Sequence, residues 1–220
     1  MTPSPNDARQ YSAAAERNRQ PLLQALQTLL PAKGLALEIA SGTGQHAAWF
    51  AAGLPGWIWQ TSDADDSGFA SIRAWCADTS AHKVRAPVRL DVLAPVWPSD
   101  AEPFEQDFDA VFCANMLPIA PWPTCAALMR GAARHLRSDG LLLTYGPYLE
   151  DDVPTAPGNL AFDQSLRERN PAWGIRRLDD VKLQARLAGL QCRERIQLPS
   201  NNLLLVFERS ARNGNFTPPM

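Results

Sequence analysis

The sequence predicts an α/β protein built on a mostly parallel, seven-stranded sheet with an antiparallel last strand and helices on both faces. Three observations carry this. Residues 35–40 form an apolar run too short for a helix, followed by Gly42 and Gly44 and then by the helix-permissive stretch 45–52. Four more short apolar runs, at 57–62, 88–92, 108–114 and 141–145, alternate with helical segments. The last two runs, 190–198 and 203–208, are separated only by Pro199-Ser-Asn-Asn202 and must pair antiparallel.

The strand–glycine–helix unit organises the rest. Its turn sets backbone N–H groups and the positive end of a helix dipole beside any ligand. The spacing Gly42-x-Gly44-x-x-Ala47 also suits a dinucleotide. Glu38, inside the strand and four residues before Gly42, argues otherwise. A carboxylate there repels a pyrophosphate and suits a ligand with positive charge, such as S-adenosylmethionine (SAM) with its ammonium and sulfonium.

The remaining elements follow in order. Residues 1–10 read as a loose, proline-punctuated arm. Residues 12–30 read as a helix, from leucines at helical spacing and a stop at Pro31. Ala15-Glu-Arg-Asn18 precedes that stripe and is a candidate lid, with Arg17 the natural bidentate partner for a carboxylate. The strand at 57–62 runs into Asp63-Ala-Asp65-Asp66, where an acid meets the two hydroxyls of a ribose. Asp63 is the first choice and Asp65 the second, and Asp66 suits a cap for a helix over 67–78. Asp91 closes the strand at 88–92 and is placed to accept from an adenine amino group. Asn115 follows the strand at 108–114 on the same edge of the sheet.

A helix is expected over 124–137, stopped at Ser138-Asp-Gly140, then a strand at 141–145 and an acidic, proline-rich loop to Gly158. Helices are expected at 159–169 and 178–188. The organisation is one domain over 1–210, its first 30 residues an arm and lid helix, with a disordered tail at 211–220.

Composition narrows the classes. A net charge of −2 gives no electrostatic case for nucleic acid or an anionic membrane. No apolar run is long enough to span a bilayer, and Met1-Thr-Pro-Ser-Pro is not a signal peptide. The four cysteines have no metal or redox spacing, so free thiols in a cytoplasmic protein and no metal site are expected. Seven tryptophans and nineteen prolines suggest aromatic walls and rigid loops.

Glu38-x-x-x-Gly42-x-Gly44 resembles the first motif of class I SAM-dependent methyltransferases, with Ala40 where a third glycine is usual. Further stretches, including Ala15-Glu-Arg-Asn18, Leu37-Glu-Ile-Ala-Ser-Gly-Thr-Gly-Gln-His46, Leu90-Asp-Val92, Asn115-Met116, Tyr145-Gly-Pro147, Asn170-Pro-x-Trp-Gly174 and Asn201-Asn202, resemble the methyltransferase-like 26 family. The likeness covers about residues 12–208 and implies a Rossmann-like class I methyltransferase fold that binds SAM. It implies that Ala40, Ser41, His46 and Val92 line the cofactor site along with Arg17, Glu38, Gly42, Gly44, Asp63, Asp65, Asp91 and Asn115.

One departure affects the chemistry. Relatives carry a histidine and a small hydroxyl residue just after the Asn-Met pair, and this chain has Pro118 and Ala120. The expected function is methyl transfer from SAM to a small molecule, with Tyr148 and Asp163 orienting the acceptor. The alternatives are a non-catalytic SAM-binding module and a NAD-dependent oxidoreductase, the latter opposed by Glu38 and the antiparallel end.

Overall fold

The computed structural model of the protein describes residues 7–77, 83–99 and 101–209. The expected tail at 211–220 lies outside the described residues. The strands of the main sheet are β1 (Gly34–Ile39), β2 (Trp57–Asp63), β3 (Val84–Arg89), β4 (Phe108–Ala114), β5 (Leu136–Gly146), β8 (Leu190–Leu198) and β9 (Asn202–Arg209). Their spatial order is β3-β2-β1-β4-β5-β9-β8. The first five are parallel, and β9 pairs antiparallel with both β5 and β8. Two short strands, β6 (Tyr148–Leu149) and β7 (Arg176–Arg177), form a separate parallel pair that the sequence did not suggest.

Alternation along β1 explains why both faces of the sheet are covered. Leu35, Leu37 and Ile39 pack with Leu128 of α4 (Pro123–His135) and Val181 of α6 (Leu178–Leu187). Ala36 faces the other way, with Leu22 and Leu26 of α1 (Ala13–Leu29) and Phe50 of α2 (Gln45–Gly53). A smaller cluster joins α2 to α3 (Phe69–Ala77) through Ala47, Ile72 and Cys76.

α1 has two unlike halves. Leu22 and Leu26 are fully buried, each contributing about 1.5–3 kcal/mol relative to exposure. Ahead of them Pro21 lacks the N–H that would reach the Arg17 carbonyl, and the first turns are held mainly by polar contacts. Ser12 caps the helix, its Oγ accepting from Ala15 N at 3.3 Å, and its own N–H donates to Gln45 Oε1 at 2.5 Å.

The arm is more ordered than expected over residues 7–10. Gln10 N donates to Ser71 Oγ at 2.8 Å, and Trp75 Nε1 donates to Gln10 O at 2.8 Å, strapping the chain to α3. Two strands differ from expectation. β3 lies at Val84–Arg89 rather than 88–92, because this edge strand is half-exposed and carries Pro87. β5 begins at Leu136, directly after α4, and Ser138-Asp-Gly140 sits inside it at a register shift against β4 rather than forming a separate stop. Among the described residues, no helix is long and apolar enough to cross a membrane.

Candidate functional site

The carboxyl ends of β1, β2 and β4 converge on one edge of the sheet, where crevices form in folds of this kind. The loop from β1 to α2 takes left-handed backbone at Ala40 (φ 55°), Gly42 (φ 56°) and Gly44 (φ 87°). Glycine is required at Gly44 by space as well as by backbone, since a Cβ would lie 2.6 Å from Ile72 Cα. Ser41 is buried and locks the loop to β2: its N–H donates to Ser62 O at 2.8 Å, and its Oγ accepts from Ser62 N at 3.2 Å.

Asp63 ends β2 beside this loop. Its Oδ2 accepts from Gly42 N at 2.9 Å and its Oδ1 from Ala64 N at 2.8 Å. Burial raises its carboxyl above the ordinary value, and the two N–H bonds oppose that rise. Each oxygen keeps acceptor capacity for a further donor.

Asp63 stands at the rim of a cavity of about 300 Å³. Its walls are mostly apolar, including Ile39, Leu90, Val92, Leu93 and Ile119, and Ala40 and Asp91 line it too. Asp91 sits in the turn after β3, two residues past the strand, where its Oδ1 accepts from Leu93 N at 2.9 Å. Asp65 has a different task. Its Oδ1 accepts from Ser67 N at 2.9 Å and from the Ser67 hydroxyl, so it shapes the approach to α3, which the sequence reading had assigned to Asp66. Those bonds lower its carboxyl below the ordinary value.

A second cavity of about 380 Å³ adjoins the first, with Ile119 lining both. Arg17 and Asn18 of α1 enter it from one side, facing Asn115, Tyr145, Asn159 and Asn202. Arg17 is exposed and makes no ion pair among the described residues. Asn115 takes left-handed backbone (φ 56°) at the end of β4, its N–H bonded to Tyr145 O at 2.8 Å. The Tyr145 hydroxyl accepts from Asn202 Nδ2 at 2.9 Å. Burial pushes the Tyr145 phenol above its ordinary value, against hydrogen bonds from Asn202 and Asn18.

Glu38 and His46 lie behind these cavities and are buried. Among the described residues Glu38 Oε2 has no hydrogen-bond partner, and burial raises the carboxyl to about 8. His46 stacks on Phe50 at 5.3 Å, and its Nε2 meets Asn18 Oδ1 at 2.6 Å. Burial lowers the imidazole to about 4, so the ring is neutral and its Nε2–H donates to the amide oxygen.

The two expected acceptor-orienting groups are placed elsewhere. Tyr148 is buried among the α4 and α6 cluster, and its hydroxyl donates to Thr144 Oγ1 at 2.8 Å. Burial raises its phenol far above the ordinary value. Asp163 lies on α5 (Pro157–Arg169), where Oδ1 accepts from Ile175 N at 2.6 Å and Oδ2 pairs with Arg167 Nε at 2.8 Å. Neither lines the larger cavity. Tyr148 thus bonds back to β5, and Asp163 ties α5 to the backbone at Ile175. Leu93, Ile119, Pro199 and Ser200 are cavity residues that the sequence reading passed over. Only their position just after a strand could have marked them. Among the described residues, no group of three or more His, Cys, Asp and Glu is arranged to hold a metal ion.

Strand order, glycine loop and antiparallel β9 define the Rossmann-like fold of class I methyltransferases. The fold matches an O-methyltransferase family protein from Burkholderia thailandensis (TM-score 0.72, 20% identity, covering 90% of this chain and 58% of that one). It also matches an O-methyltransferase family 2 protein from Planctomyces limnophilus DSM 3776 in complex with apigenin (TM-score 0.69, 17% identity, 87% and 62%). A third match is human N-acetylserotonin methyltransferase in complex with SAM (TM-score 0.69, 14% identity, 90% and 53%). The chain thus spans between 53% and 62% of the length of these proteins, and the likeness is one of fold. The chain belongs to the family described as protein of unknown function (DUF938), whose model matches residues 9–209.

Proposed function

We propose that this chain is a SAM-dependent methyltransferase acting on a small molecule. The observation that carries this reading is the pair of adjoining cavities at the carboxyl edge of the sheet, one apolar with Asp63 at its rim and the other amide-rich with Arg17 at its mouth. The residues present fit SAM. The apolar walls around Val92, Leu93 and Ile39 suit a purine, and the free acceptor capacity of Asp63 suits the two ribose hydroxyls. The left-handed backbone at Gly42, where a Cβ would meet nothing nearer than Ala40 O at 4.0 Å, leaves the loop open to close approach. Glu38 Oε2 has no partner among the described residues, which leaves an acceptor for a ligand N–H, and Arg17 has no competing carboxylate among them. SAM would supply a methyl already activated by a sulfonium. The protein's part is to hold the acceptor in line and exclude water.

The motif likeness to the methyltransferase-like 26 family supports the same reading. The apigenin bound to the Planctomyces protein supports an acceptor of small-molecule size.

Calorimetric titration with SAM, S-adenosylhomocysteine and NAD tests the cofactor. Binding of the first two and not the third is expected, and NAD binding alone would overturn the proposal. Incubation with labelled SAM and a metabolite extract tests turnover. SAM binding with no label transferred would leave a binding module in place of an enzyme.

A further inference from the structure

The larger cavity is unusual in its chemistry. Among the described residues that line it there is no Asp, Glu, His, Lys or Cys. Its polar groups are Arg17, Tyr145, four asparagine amides and the hydroxyls of Ser12 and Ser200. A neutral hydroxyl acceptor must lose a proton, which requires a base within hydrogen-bond reach. Arg17 cannot serve. Tyr145 holds its own proton, because burial raises it above the ordinary phenol value.

The Tyr145 hydroxyl is also oriented. It accepts from Asn202 Nδ2 at 2.9 Å, and the Asn18 amide lines the same cavity. The Asn18 amide is turned by His46: its Oδ1 takes the His46 Nε2–H at 2.6 Å, which directs its NH₂ toward Tyr145. The Asn202 N–H takes an acceptor position of the phenol, and its O–H remains to donate into the cavity. With Arg17 assigned to the SAM carboxylate, the remaining wall offers neutral donors and no carboxylate, which suits an anion.

Resting on the methyltransferase reading above, we propose that the acceptor is a small organic carboxylate, held by the Tyr145 O–H and methylated without a protein base. A carboxylate is already ionised at neutral pH. Its oxygen forms the new O–C bond as the S–C bond of the sulfonium breaks. The electron pair of that bond returns to sulfur, and the products are a methyl ester and S-adenosylhomocysteine. No proton is released. An aliphatic amine acceptor would be protonated at the same pH and, without a base to remove that proton, would have no lone pair for the methyl.

The test has a binding arm and a turnover arm. Protein loaded with S-adenosylhomocysteine is titrated with benzoate, phenylacetate and their primary amides. The acids are expected to bind about tenfold or more tightly than the amides. Tyr145→Phe is expected to erase most of that preference while leaving S-adenosylhomocysteine affinity unchanged. Equal binding of acids and amides would overturn the proposal. Parallel loss of S-adenosylhomocysteine affinity in Tyr145→Phe would overturn the role of Tyr145 as the anion's donor.

In the turnover arm, methyl-labelled SAM is supplied with a pool of aromatic and aliphatic acids, amides, phenols and alcohols. The label is expected in esters that release methanol in alkali. Alkali-stable label, or no label in any acid, would overturn the carboxylate proposal while the SAM-binding reading stands. Absence of S-adenosylhomocysteine binding would overturn both.

Discussion

His46 Nε2 lies 2.6 Å from Asn18 Oδ1, joining the first turn of α2 to the N-terminal half of α1. The imidazole is buried and lowered to about 4. A basic group depressed in the folded state contributes stability that is fully present above its ordinary value of 6.5 and is lost as pH falls toward 4. The loss at pH 5 relative to pH 7 is about 2 kcal/mol. In urea unfolding, His46→Gln is therefore expected to fare about 2 kcal/mol better relative to wild type at pH 5 than at pH 7. An effect equal at both pH values would mean that the ring is not held neutral.

Glu38 has the opposite sign. Its carboxyl is raised from 4.5 to about 8, so its contribution is present below 4.5 and lost as pH rises through 8. Glu38→Gln is expected to stabilise the protein by roughly 4 kcal/mol at pH 8 and by under about 1 kcal/mol at pH 5. Above pH 8, where the wild-type carboxyl ionises, the same variant is expected to bind SAM more weakly, because the amide carries no charge to favour a cation. Thermal unfolding at the two pH values and calorimetry check both halves. A destabilised variant at pH 8 would show that the carboxylate is better solvated than its burial implies.

Asp63 carries the ribose expectation. Replacing it with Asn leaves an oxygen for Gly42 N and removes the charge and one acceptor. Loss of a charged acceptor costs about 1.5–3 kcal/mol, or about ten- to a hundredfold in SAM affinity. Calorimetry on the folded variant reads this directly, and wild-type affinity would remove Asp63 from the cofactor site.

Arg17 sits at the mouth of the larger cavity without an ion pair, on the less firmly packed half of α1. Arg17→Ala is expected to weaken SAM by about tenfold. It should leave the unfolding midpoint within about 0.5 kcal/mol of wild type, since an exposed side chain contributes little to stability. A large drop in stability would instead make Arg17 a structural residue.

Local patterning made much of this protein legible. The strand–glycine–helix unit at β1 and α2, the pairing of β8 with β9, and the acid after β2 each depend on a few neighbouring residues. Where the pattern is weak, the reading slipped. β3 is a half-exposed edge strand with little apolar signal, and β5 carries exposed Arg137, Ser138 and Asp139 near its start, which resemble a turn.

The amino-acid sequence by itself determined the order of elements, the glycine loop and the edge of the sheet where ligands meet it. Only the tertiary structure decided which side chains open into the cavities. Tyr145 and Tyr148 show the physical reason. Tyr145 lies near the end of β5 and Tyr148 opens β6 three residues later, and the two pack into different core clusters on opposite faces of the main sheet. Tyr145 packs on the α1 and α2 side and reaches the cavity, whereas Tyr148 is buried against α4 and α6 with its hydroxyl bonded to Thr144. Which face holds the cavity depends on where α1 lands, and that is set by the distant contacts of Leu22 and Leu26 with the sheet and of Asn18 with His46.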